Sequence, residues 1–156
     1  MFAVLSDPAV YEFENEPPAS EAWLRERFAR LEGRTSADGT EVWLNWVVQL
    51  PSGELAGYVQ ATVLGSGVSF VAYVLSSRFW RRGIASNAVT AMMQELQCGY
   101  GVRTFVAVLK GANYRSLGLL RSLGFKPSSP EQAMEFGAGA DEVVLVKSAV
   151  AAQNAA

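Results

Sequence analysis

The chain has 156 residues, a formal net charge of −2 at pH 7, a single cysteine and no histidine. This length corresponds to one domain, and because half of the residues are hydrophobic the chain can bury a normal core. One cysteine excludes an intramolecular disulfide, and the lack of histidine excludes a zinc site and a histidine-dependent catalytic triad.

The distribution of charge and hydropathy excludes two further classes of partner. Basic residues are scattered along the chain, which argues against binding nucleic acid through a basic face. The N-terminus lacks the charged lead and apolar core of a signal peptide, and no apolar run reaches the roughly 20 residues that span a membrane. We therefore expect a cytoplasmic protein with no metal, nucleic-acid or membrane partner.

The first part of the chain predicts a short helical or turn segment followed by a longer helix. Asp7 and Pro8 suit a helix start or a turn. Ser20 is a candidate N-cap for a helix over residues 21–32, and Gly33 suits its C-terminal end. The apolar positions of that helix predict a buried stripe made of Trp23, Leu24, Phe28 and Leu31.

A β-hairpin and a third strand are predicted next. Residues 41–50 and 55–64 alternate well enough to form two strands, and residues 51–54 are typical of a hairpin turn between them. After the glycine-rich residues 65–67, an apolar run predicts a strand from Val68 to Leu75.

The residues after this strand have the pattern of an anion-binding turn followed by a helix. They read Trp80-Arg-Arg-Gly-Ile-Ala-Ser86. A helix that starts there presents unpaired N–H groups and the positive end of its dipole, which suit a phosphate. Gly83 lets a diphosphate approach the main chain because it has no Cβ. Cys98 is predicted to be a small buried residue of this helix, whose apolar positions from Ile84 onward are Ala88, Ala91, Met92, Leu96 and Gly99.

The last third of the chain predicts two more strands and a short helix. Residues 105–109 form a β-like run, and a short helix follows Asn113. Residues 126–139 are loop-like, with a weak strand near residues 134–136. A final strand is predicted over residues 142–146.

The order of these elements, together with three motifs, resembles the acetyl-CoA-binding half of the GNAT N-acetyltransferases. The motifs are Tyr73-x-Leu75, Trp80-Arg-Arg-Gly-Ile-Ala85, and Asn113-x-x-Ser116 followed by Leu123-Gly124-Phe125. Together they look like the branch typified by the ribosomal-protein N-terminal acetyltransferases, in which Trp is common at the first position of the phosphate motif. The resemblance extends from about residue 5 to residue 147, and it rests on the combination because each motif alone is unspecific.

The resemblance implies an α/β (α+β) fold with a mixed, mostly antiparallel central sheet flanked by helices. It also implies a first strand before residues 5–11, and Met1 comes too late for that strand. We therefore expect an exposed edge on the neighbouring strand, covered by a second copy of the chain in a homodimer. The domain is expected to include residues 1–148, with a frayed tail over residues 149–156.

Acetyl-CoA is the cofactor that the resemblance implies, with coenzyme A as the product. In the family, the pantetheine arm lies between the strand before the phosphate turn and the strand after the long helix. Carried over to this sequence, the backbone of Val74 and Leu75 pairs with the arm, and the Leu75 N–H polarises the thioester carbonyl. Trp80 is expected to be a packing residue. The diphosphate is held by Arg82, Gly83, Ile84, Ala85 and Ser86.

Asn113 and Ser116 have roles that the same resemblance implies. The Asn contacts the pantetheine arm and the Ser lies near the thiol, although the residues alone also fit a helix N-cap and a first-turn hydroxyl. Many family members place a tyrosine seven residues after the Asn to protonate the leaving thiolate, and here that position is Leu120. Ser116, or a water that it holds, is therefore the candidate proton donor, in preference to Tyr114.

The sequence does not identify a general base, and this bears on the acceptor. At pH 7 about a tenth to a sixth of an α-amine is neutral, but only about 0.04% of a lysine side chain. A site without a dedicated base therefore suits a protein or peptide N-terminal α-amine. The alternatives are a small-molecule amine (an antibiotic, amino acid or polyamine), a non-catalytic acyl-CoA-binding module, and an interaction domain without a cofactor. The candidate carboxylates are Glu12, Glu14, Glu16, Glu41 and Glu54, and the first three are also candidates for attracting a cationic amine.

Overall fold

The computed structural model describes residues 1–13 and 15–149. Its helices are α1 (Phe2–Leu5), α2 (Glu21–Leu31), α3 (Ile84–Tyr100), α4 (Tyr114–Ser122) and α5 (Pro130–Glu135). Its strands are β1 (Glu41–Gln49), β2 (Leu55–Leu64), β3 (Val68–Leu75), β4 (Thr104–Lys110), β5 (Lys126–Pro127) and β6 (Glu142–Ser148). Short 3₁₀ segments are present at Pro8–Tyr11 and Ser77–Phe79.

The strands form one sheet in the order β1-β2-β3-β4-β6-β5. β3 and β4 are parallel, and the other neighbouring pairs are antiparallel. Helix α3 makes the connection between the two parallel strands, because a parallel pair needs a long return path. The predicted fold class, a mixed and mostly antiparallel sheet flanked by helices, is confirmed.

Helices α3 and α4 contribute to the main hydrophobic core together with the sheet. Leu96 of α3, Leu120 of α4 and Phe105 of β4 are each at most 1% exposed. Burying a side chain of this size stabilises a fold by about 1.5–3 kcal/mol relative to leaving it in water. The core therefore fixes α3 and α4 to the strands that they follow, and with them the turns that precede the two helices.

Helix α3 begins at Ile84 as predicted, but its buried side differs from the predicted one. Ala91 and Gly99 were expected to face the core, and both are exposed. Cys98 is exposed as well, so its predicted burial is wrong; it lies about 200° around the helix from Leu96. The buried positions have the i, i+3, i+4, i+7 spacing of one helix face, and they are Val89, Met92, Met93 and Leu96.

Helix α2 ends one residue earlier than predicted and is capped as predicted. The Ser20 Oγ accepts a hydrogen bond from the Trp23 N–H at 3.0 Å. Leu24 is buried, but the expectation that Trp23 shares its buried stripe is wrong, because Trp23 is 40% exposed. Trp23 lies about 100° around the helix from Leu24, where the Arg27 guanidinium carbon is 5.7 Å from the indole centroid.

The strands at residues 41–50, 55–64, 68–75, 105–109 and 142–146 are all confirmed to within about two residues at each end. The weak strand near residues 134–136 is wrong, because Met134 belongs to α5 and Phe136 ends it. A capping box explains this helix: Ser129 and Gln132 each bond the other's main-chain N–H at 3.2 Å.

β1 lies at one edge of the sheet. The loop after α2 covers the beginning of this edge, where the Trp43 N–H donates to the Arg34 carbonyl at 2.7 Å and the Ser36 N–H donates to the Glu41 carbonyl at 3.1 Å. Within the described residues no strand pairs with the rest of the outer edge, and Val47 is 59% exposed there. The expected exposed edge is therefore present beyond Trp43.

The C-terminal end of the described chain continues the ladder between β4 and β6. The Ala149 N–H donates to the Arg103 carbonyl at 2.8 Å. The rest of the predicted tail, residues 150–156, lies outside the described residues. None of the helices in the described ranges combines the length and apolar character needed to span a membrane.

Candidate functional site

A gap opens in the sheet between β3 and β4. The two strands pair only near their beginnings, residues 68–70 with residues 104–106. β3 remains paired with β2 up to Leu75, and β4 remains paired with β6 up to Lys110, so each strand continues while no longer pairing with the other. The space between them lies toward the C-terminal ends of both strands, and it is between these two strands that the resemblance puts the pantetheine arm.

The main chain of Leu75 faces this gap. Along a strand, the polar groups of successive residues point alternately to the two sides. The Gly67 carbonyl accepts hydrogen bonds at 2.8 and 3.2 Å from the chain at the beginning of β4, so odd-numbered residues of β3 face β4. Just after the other end of β3, the Ser76 N–H donates to the Ala56 carbonyl of β2 at 2.9 Å. Even-numbered residues therefore face β2, which agrees with odd-numbered residues facing β4. The Leu75 N–H therefore points into the gap.

Val74 differs from its neighbour in this respect. By the same alternation, its N–H and C=O point toward β2, where it lies opposite Tyr58. The expectation that the backbones of both Val74 and Leu75 pair with a pantetheine arm therefore fits Leu75 and does not fit Val74. Tyr73 is the other residue of this strand end whose main chain is directed to the β4 side.

The turn after β3 leads into α3 without a side-chain cap. Arg81 and Gly83 have left-handed backbone angles, with φ of +59° and +75°. Gly83 is the N-cap of α3, and no side chain of the described chain caps the helix there. A Cβ built on Gly83 would meet no atom of the described residues within 4 Å, so these residues leave the space in front of the helix open. The first-turn N–H groups of residues 84–86 are directed toward this space.

The chemistry of this turn fits a diphosphate. The positive end of the α3 dipole and several main-chain donors converge on the open space, and both features favour an anion. Arg81 and Arg82 are exposed, and the Arg82 guanidinium carbon lies 6.0 Å from the Phe79 ring centroid. The turn thus brings together the five residues predicted to hold the diphosphate of coenzyme A, namely Arg82, Gly83, Ile84, Ala85 and Ser86.

Trp80 connects this turn to the end of β3. Its Nε1–H donates a hydrogen bond to the Leu75 carbonyl at 2.9 Å. Because the indole is also partly buried, it holds the last peptide group of the strand in one position. Trp80 was expected to be a packing residue, and this hydrogen bond gives it a polar role beside the gap as well.

The beginning of α4 lies on the opposite side of the gap. The Asn113 Oδ1 accepts a hydrogen bond from the Ser116 N–H at 3.1 Å, so Asn113 is the N-cap of this helix. That bond uses only the oxygen of the side-chain amide, and the two N–H donors of its amide nitrogen remain for other contacts. The Tyr73 hydroxyl donates to the Ser116 carbonyl at 3.5 Å, which brings Ser116 next to β3. Leu120 is 1% exposed in the core and offers no proton donor.

The N-terminal segment is attached to the end of β3 through Asp7. One carboxylate oxygen accepts a hydrogen bond from the Ala9 N–H at 3.0 Å, and the other accepts one from the Ser77 N–H at 2.7 Å and a longer one from the Ser76 hydroxyl at 3.4 Å. Burial raises the pKa of Asp7, but the hydrogen bonds from Ser77, Ala9 and Ser76 outweigh it, so the pKa lies below its ordinary value of 3.8. Asp7 is therefore ionised at neutral pH.

Two of the candidate bases lie at the two ends of the β1–β2 hairpin. Glu41 is paired with Leu64, the last residue of β2, and Leu75 is paired with Gly57, the third residue of β2. Leu64 and Gly57 are seven residues apart along β2. This separation puts Glu41 about 23 Å along the strand from the Leu75 end of the gap. Glu54 lies at the nearer end, but its carboxylate forms an ion pair with Arg78 at 2.9 Å.

The acidic run before α2 includes one carboxylate that forms an ion pair with an arginine beside the site. Glu12 Oε2 lies 2.6 Å from Arg115 Nη1, so its charge is compensated. Glu16 is exposed, and Glu14 lies outside the described residues. The expectation that this run attracts a cationic amine is therefore weakened for Glu12, since a paired carboxylate presents little net field.

Sequence reasoning missed Arg115. Its guanidinium carbon lies 4.7 Å from the Trp80 ring centroid, 5.1 Å from that of Tyr114 and 5.4 Å from that of Phe13. Phe13 and Tyr114 also contact each other edge to face, at 5.6 Å between centroids. Arg115 and Glu12 are 103 positions apart in the sequence, so no local pattern reveals their pairing.

A cavity of about 660 Å³ lies beside β1 and β2. Tyr58 lines it and is paired in register with Val74, so this side of the cavity adjoins the strand that borders the gap. Burial raises the pKa of Tyr58, although Arg27 opposes the shift, and the phenol is therefore protonated at neutral pH. The wall also includes Arg27, Phe28, Trp43, Asn45 and Gln60.

The sequence model of a protein family described as "Acetyltransferase (GNAT) domain" matches residues 1–126. Because this match includes most of the chain, the protein belongs to the GNAT acetyltransferase family. Members of this family are in general acetyl-CoA-dependent N-acetyltransferases. No curated protein matches the sequence.

Solved structures show the same fold at low sequence identity. The ribosomal-protein-S18-alanine N-acetyltransferase of Escherichia coli has a TM-score of 0.65 and 15% identity, over 98% of this chain and 90% of that one. A phosphinothricin acetyltransferase of Sinorhizobium meliloti in complex with AcCoA has a TM-score of 0.65 and 20% identity, over 92% of this chain and 79% of that one. The spermidine N-acetyltransferase of Vibrio cholerae in complex with CoA and spermine has a TM-score of 0.71 and 13% identity, over 94% of this chain and 86% of that one.

Proposed function

We propose that this protein is an acetyl-CoA-dependent N-acetyltransferase of the ribosomal-protein N-terminal acetyltransferase branch, and that its acceptor is a protein or peptide N-terminal α-amine. The observation that carries the proposal is the gap between β3 and β4, which the Leu75 N–H faces beside the uncapped N-terminus of α3. A thioester held at Leu75 and a diphosphate held at Gly83 would both belong to one acetyl-CoA molecule.

Each side of the gap has a separate role in this proposal. When bound, acetyl-CoA supplies the thioester whose acetyl group is transferred. The Leu75 N–H donates a hydrogen bond to the thioester carbonyl oxygen, and a main-chain donor of this kind is worth about 3 kcal/mol as negative charge develops. Asn113 contacts the pantetheine arm through its amide. As the amine nitrogen bonds to the acetyl carbon and the carbon–sulfur bond breaks, the Ser116 hydroxyl, or a water that it holds, would give a proton to the leaving sulfur. The proton that the amine loses would pass to solvent, from which Ser116 would be reprotonated.

The charges beside the gap support an α-amine over a polyamine. Glu41 is far from Leu75, while Glu54 and Glu12 are engaged by arginines. These carboxylates therefore offer no strong base for an amine with a pKa near that of lysine, whereas an α-amine is partly neutral at pH 7. Recognition of a polycation would also need uncompensated negative charge, because complementary potentials guide charged partners to a site.

A non-catalytic acyl-CoA-binding module is the second candidate, and a specific observation favours it. Leu120 occupies the position of the proton-donating tyrosine of many family members and is buried in the core. If neither Ser116 nor solvent replaces that group, coenzyme A binds without turnover. The cavity beside Tyr58 keeps a small-molecule amine as the third candidate.

Two measurements separate these candidates. Calorimetric titration with coenzyme A tests cofactor binding, and no heat would contradict both the enzyme and the binding module. Thiol release from acetyl-CoA is then compared across an alanine-initiated hexapeptide, the same peptide with a blocked N-terminus and one lysine, glycinamide, phosphinothricin and spermidine. The proposal predicts the highest kcat/KM with the free N-terminal peptide. Faster reaction with lysine or spermidine would contradict the proposed acceptor.

The proposal includes a second copy of the chain at the outer edge of β1. Charged side chains and proline usually protect an exposed edge from pairing. The central residues of this strand include neither. Two copies of the edge can pair antiparallel around a twofold axis near Val47. A dimer in sedimentation velocity at about micromolar concentration, lost in a Val47→Lys variant, is the expected result, and a monomer for the parent would contradict it.

A further inference from the structure

Arg115 joins three separate parts of the chain beside the gap. Its guanidinium pairs with Glu12 of the N-terminal segment at 2.6 Å. It lies over the ring of Trp80, at 4.7 Å from the centroid, on the side of β3. Arg115 itself is the second residue of α4, on the side of β4. One side chain therefore bridges the two sides of the gap and attaches the N-terminal segment to both.

The chemistry of these contacts requires arginine. A planar guanidinium can stack on aromatic faces while its edge donates hydrogen bonds to a carboxylate, and a lysine ammonium cannot do both. The Arg115 side chain is only 35% exposed, and its charge is balanced by Glu12 at the same place. The bridge is thus a compensated ion pair enclosed by rings, so it adds little net charge to the site.

The bridge leaves an aromatic surface facing outward. Phe13 and Tyr114 pack edge to face at 5.6 Å, and Arg115 lies over both rings. Tyr114 is nevertheless 62% exposed. It directly follows Asn113, the N-cap that lies beside the gap, so this surface borders the same end of the gap.

We propose that Arg115 is a positioning residue for the acceptor: it holds Phe13 and Tyr114 as an aromatic surface that contacts the residue following the acceptor α-amine. This inference rests on the proposed function and specifies its substrate as a peptide chain whose second residue is nonpolar or aromatic. A neutral aromatic surface suits such a side chain because rings bury a large area at little cost in side-chain entropy. A small amine without a second residue would not reach it.

Steady-state kinetics of the full chain with two acceptors test this proposal. The acceptors are a hexapeptide beginning Ala-Phe and glycinamide, each assayed with saturating acetyl-CoA. In Arg115→Ala, and also in Tyr114→Ala, we expect the KM for the hexapeptide to rise about tenfold with kcat within about threefold, as expected for losing one contact at a recognition surface. The kcat/KM for glycinamide is expected to stay within about twofold. Arg115→Lys keeps the charge opposite Glu12 but loses the stacking, so an intermediate KM is expected.

Arg121→Ala is the matched control, because it removes an exposed arginine from the other end of the same helix. Its constants should equal those of the parent. Coenzyme A affinity, measured by calorimetry, should be unchanged in all four variants. Since Tyr114 is exposed, its variant keeps the test decisive even if Arg115→Ala does not fold.

Two results would overturn the inference while leaving acetyl transfer intact. One is a hexapeptide KM equal to that of the parent in Tyr114→Ala and in the folded Arg115 variants. The other is an equal loss with hexapeptide and glycinamide, which would indicate a general structural role. A parent protein that turns over glycinamide but no peptide would contradict the proposed acceptor, on which this inference rests. Absence of any coenzyme A binding or turnover by the parent would instead contradict the proposed function.

Discussion

The turn in front of α3 and the cluster around Arg115 border the same gap, but the chain builds them in different ways. The turn consists of neighbouring residues, and the groups proposed to bind the diphosphate are main-chain N–H donors in front of a helix that begins after Gly83, which has φ of +75°. The cluster joins side chains from the N-terminal segment, the turn and α4, up to 103 positions apart. The first is a property of local backbone, and the second exists only in the folded chain.

This difference separates two kinds of mutational effect. A change in the turn acts on the backbone and is expected to affect any ligand that carries the same diphosphate. A change in the cluster alters how one segment lies against another, so its effect depends on which acceptor is used. Variants from the two regions should therefore separate cofactor binding from acceptor recognition.

The largest expected effect comes from the turn. In Gly83→Glu, a side chain enters the open space in front of α3 with a negative charge, and the residue is strained at positive φ. We expect coenzyme A affinity to fall by at least about a hundredfold, measured by calorimetry, since a repelled anion loses both dipole and donor contacts.

Gly53→Glu is the matched control for this variant. Gly53 has φ of +86°, and a Cβ there also meets no atom of residues 1–13 and 15–149 within 4 Å, but it lies in the turn between β1 and β2. It introduces the same charge and a similar strain away from α3. Equal loss of affinity in both variants would indicate general destabilisation instead of a blocked diphosphate site.

Ser116→Ala is expected to have the next largest effect. If the hydroxyl, directly or through a water, protonates the leaving sulfur, kcat should fall by about a hundredfold, within the usual range for general acid catalysis. Coenzyme A affinity should hardly change, because the Ser116 N–H still bonds Asn113. An unchanged kcat would remove Ser116 from the mechanism and leave the proton to solvent.

Trp80→Phe tests the junction between the two regions. The variant keeps a ring for Arg115 to contact but loses the hydrogen bond from Nε1 to the Leu75 carbonyl. One neutral hydrogen bond contributes about 0.5–1.5 kcal/mol, so a kcat lowered by about two- to thirteenfold is expected. A change confined to the acceptor KM would show instead that Trp80 acts only through the Arg115 cluster.

The smallest expected effect concerns stability and pH. The hydrogen bonds that lower the pKa of Asp7 stabilise the fold when the carboxylate is ionised, and this stabilisation is lost as pH falls below 3.8 and through the lowered pKa. Asp7→Asn should therefore reduce the free energy of unfolding at pH 7 by about 1 kcal/mol. In urea titrations, parent and variant should converge at acid pH, and a difference that grows on acidification would contradict this account.

The contrast between local and long-range structure also explains which features the sequence predicted correctly and which it did not. The alternation of residues 41–75 and the glycine in Trp80-Arg-Arg-Gly-Ile-Ala85 are local signals, and the strands and the start of α3 follow from them. The exposure of Trp23 and Cys98 was missed because apolar character alone does not say which side of a helix faces the sheet. The turn of Val74 toward β2 depends on strand register, which the sequence does not determine by itself. The helix at residues 130–135 had a local signal, the Ser129 and Gln132 capping box, that was overlooked.

The most direct test of the account is a calorimetric comparison of coenzyme A with pantetheine, which lacks the diphosphate and the 3′-phosphoadenosine attached to it, in the parent and in Gly83→Glu. If main-chain donors around Gly83 hold the diphosphate while Leu75 faces the arm, coenzyme A should bind the parent at least about a hundredfold more tightly than pantetheine, and Gly83→Glu should remove this advantage. Equal affinities in the parent, an unchanged advantage in Gly83→Glu, or no binding of coenzyme A, would contradict the central claim that the turn in front of α3 is the diphosphate site.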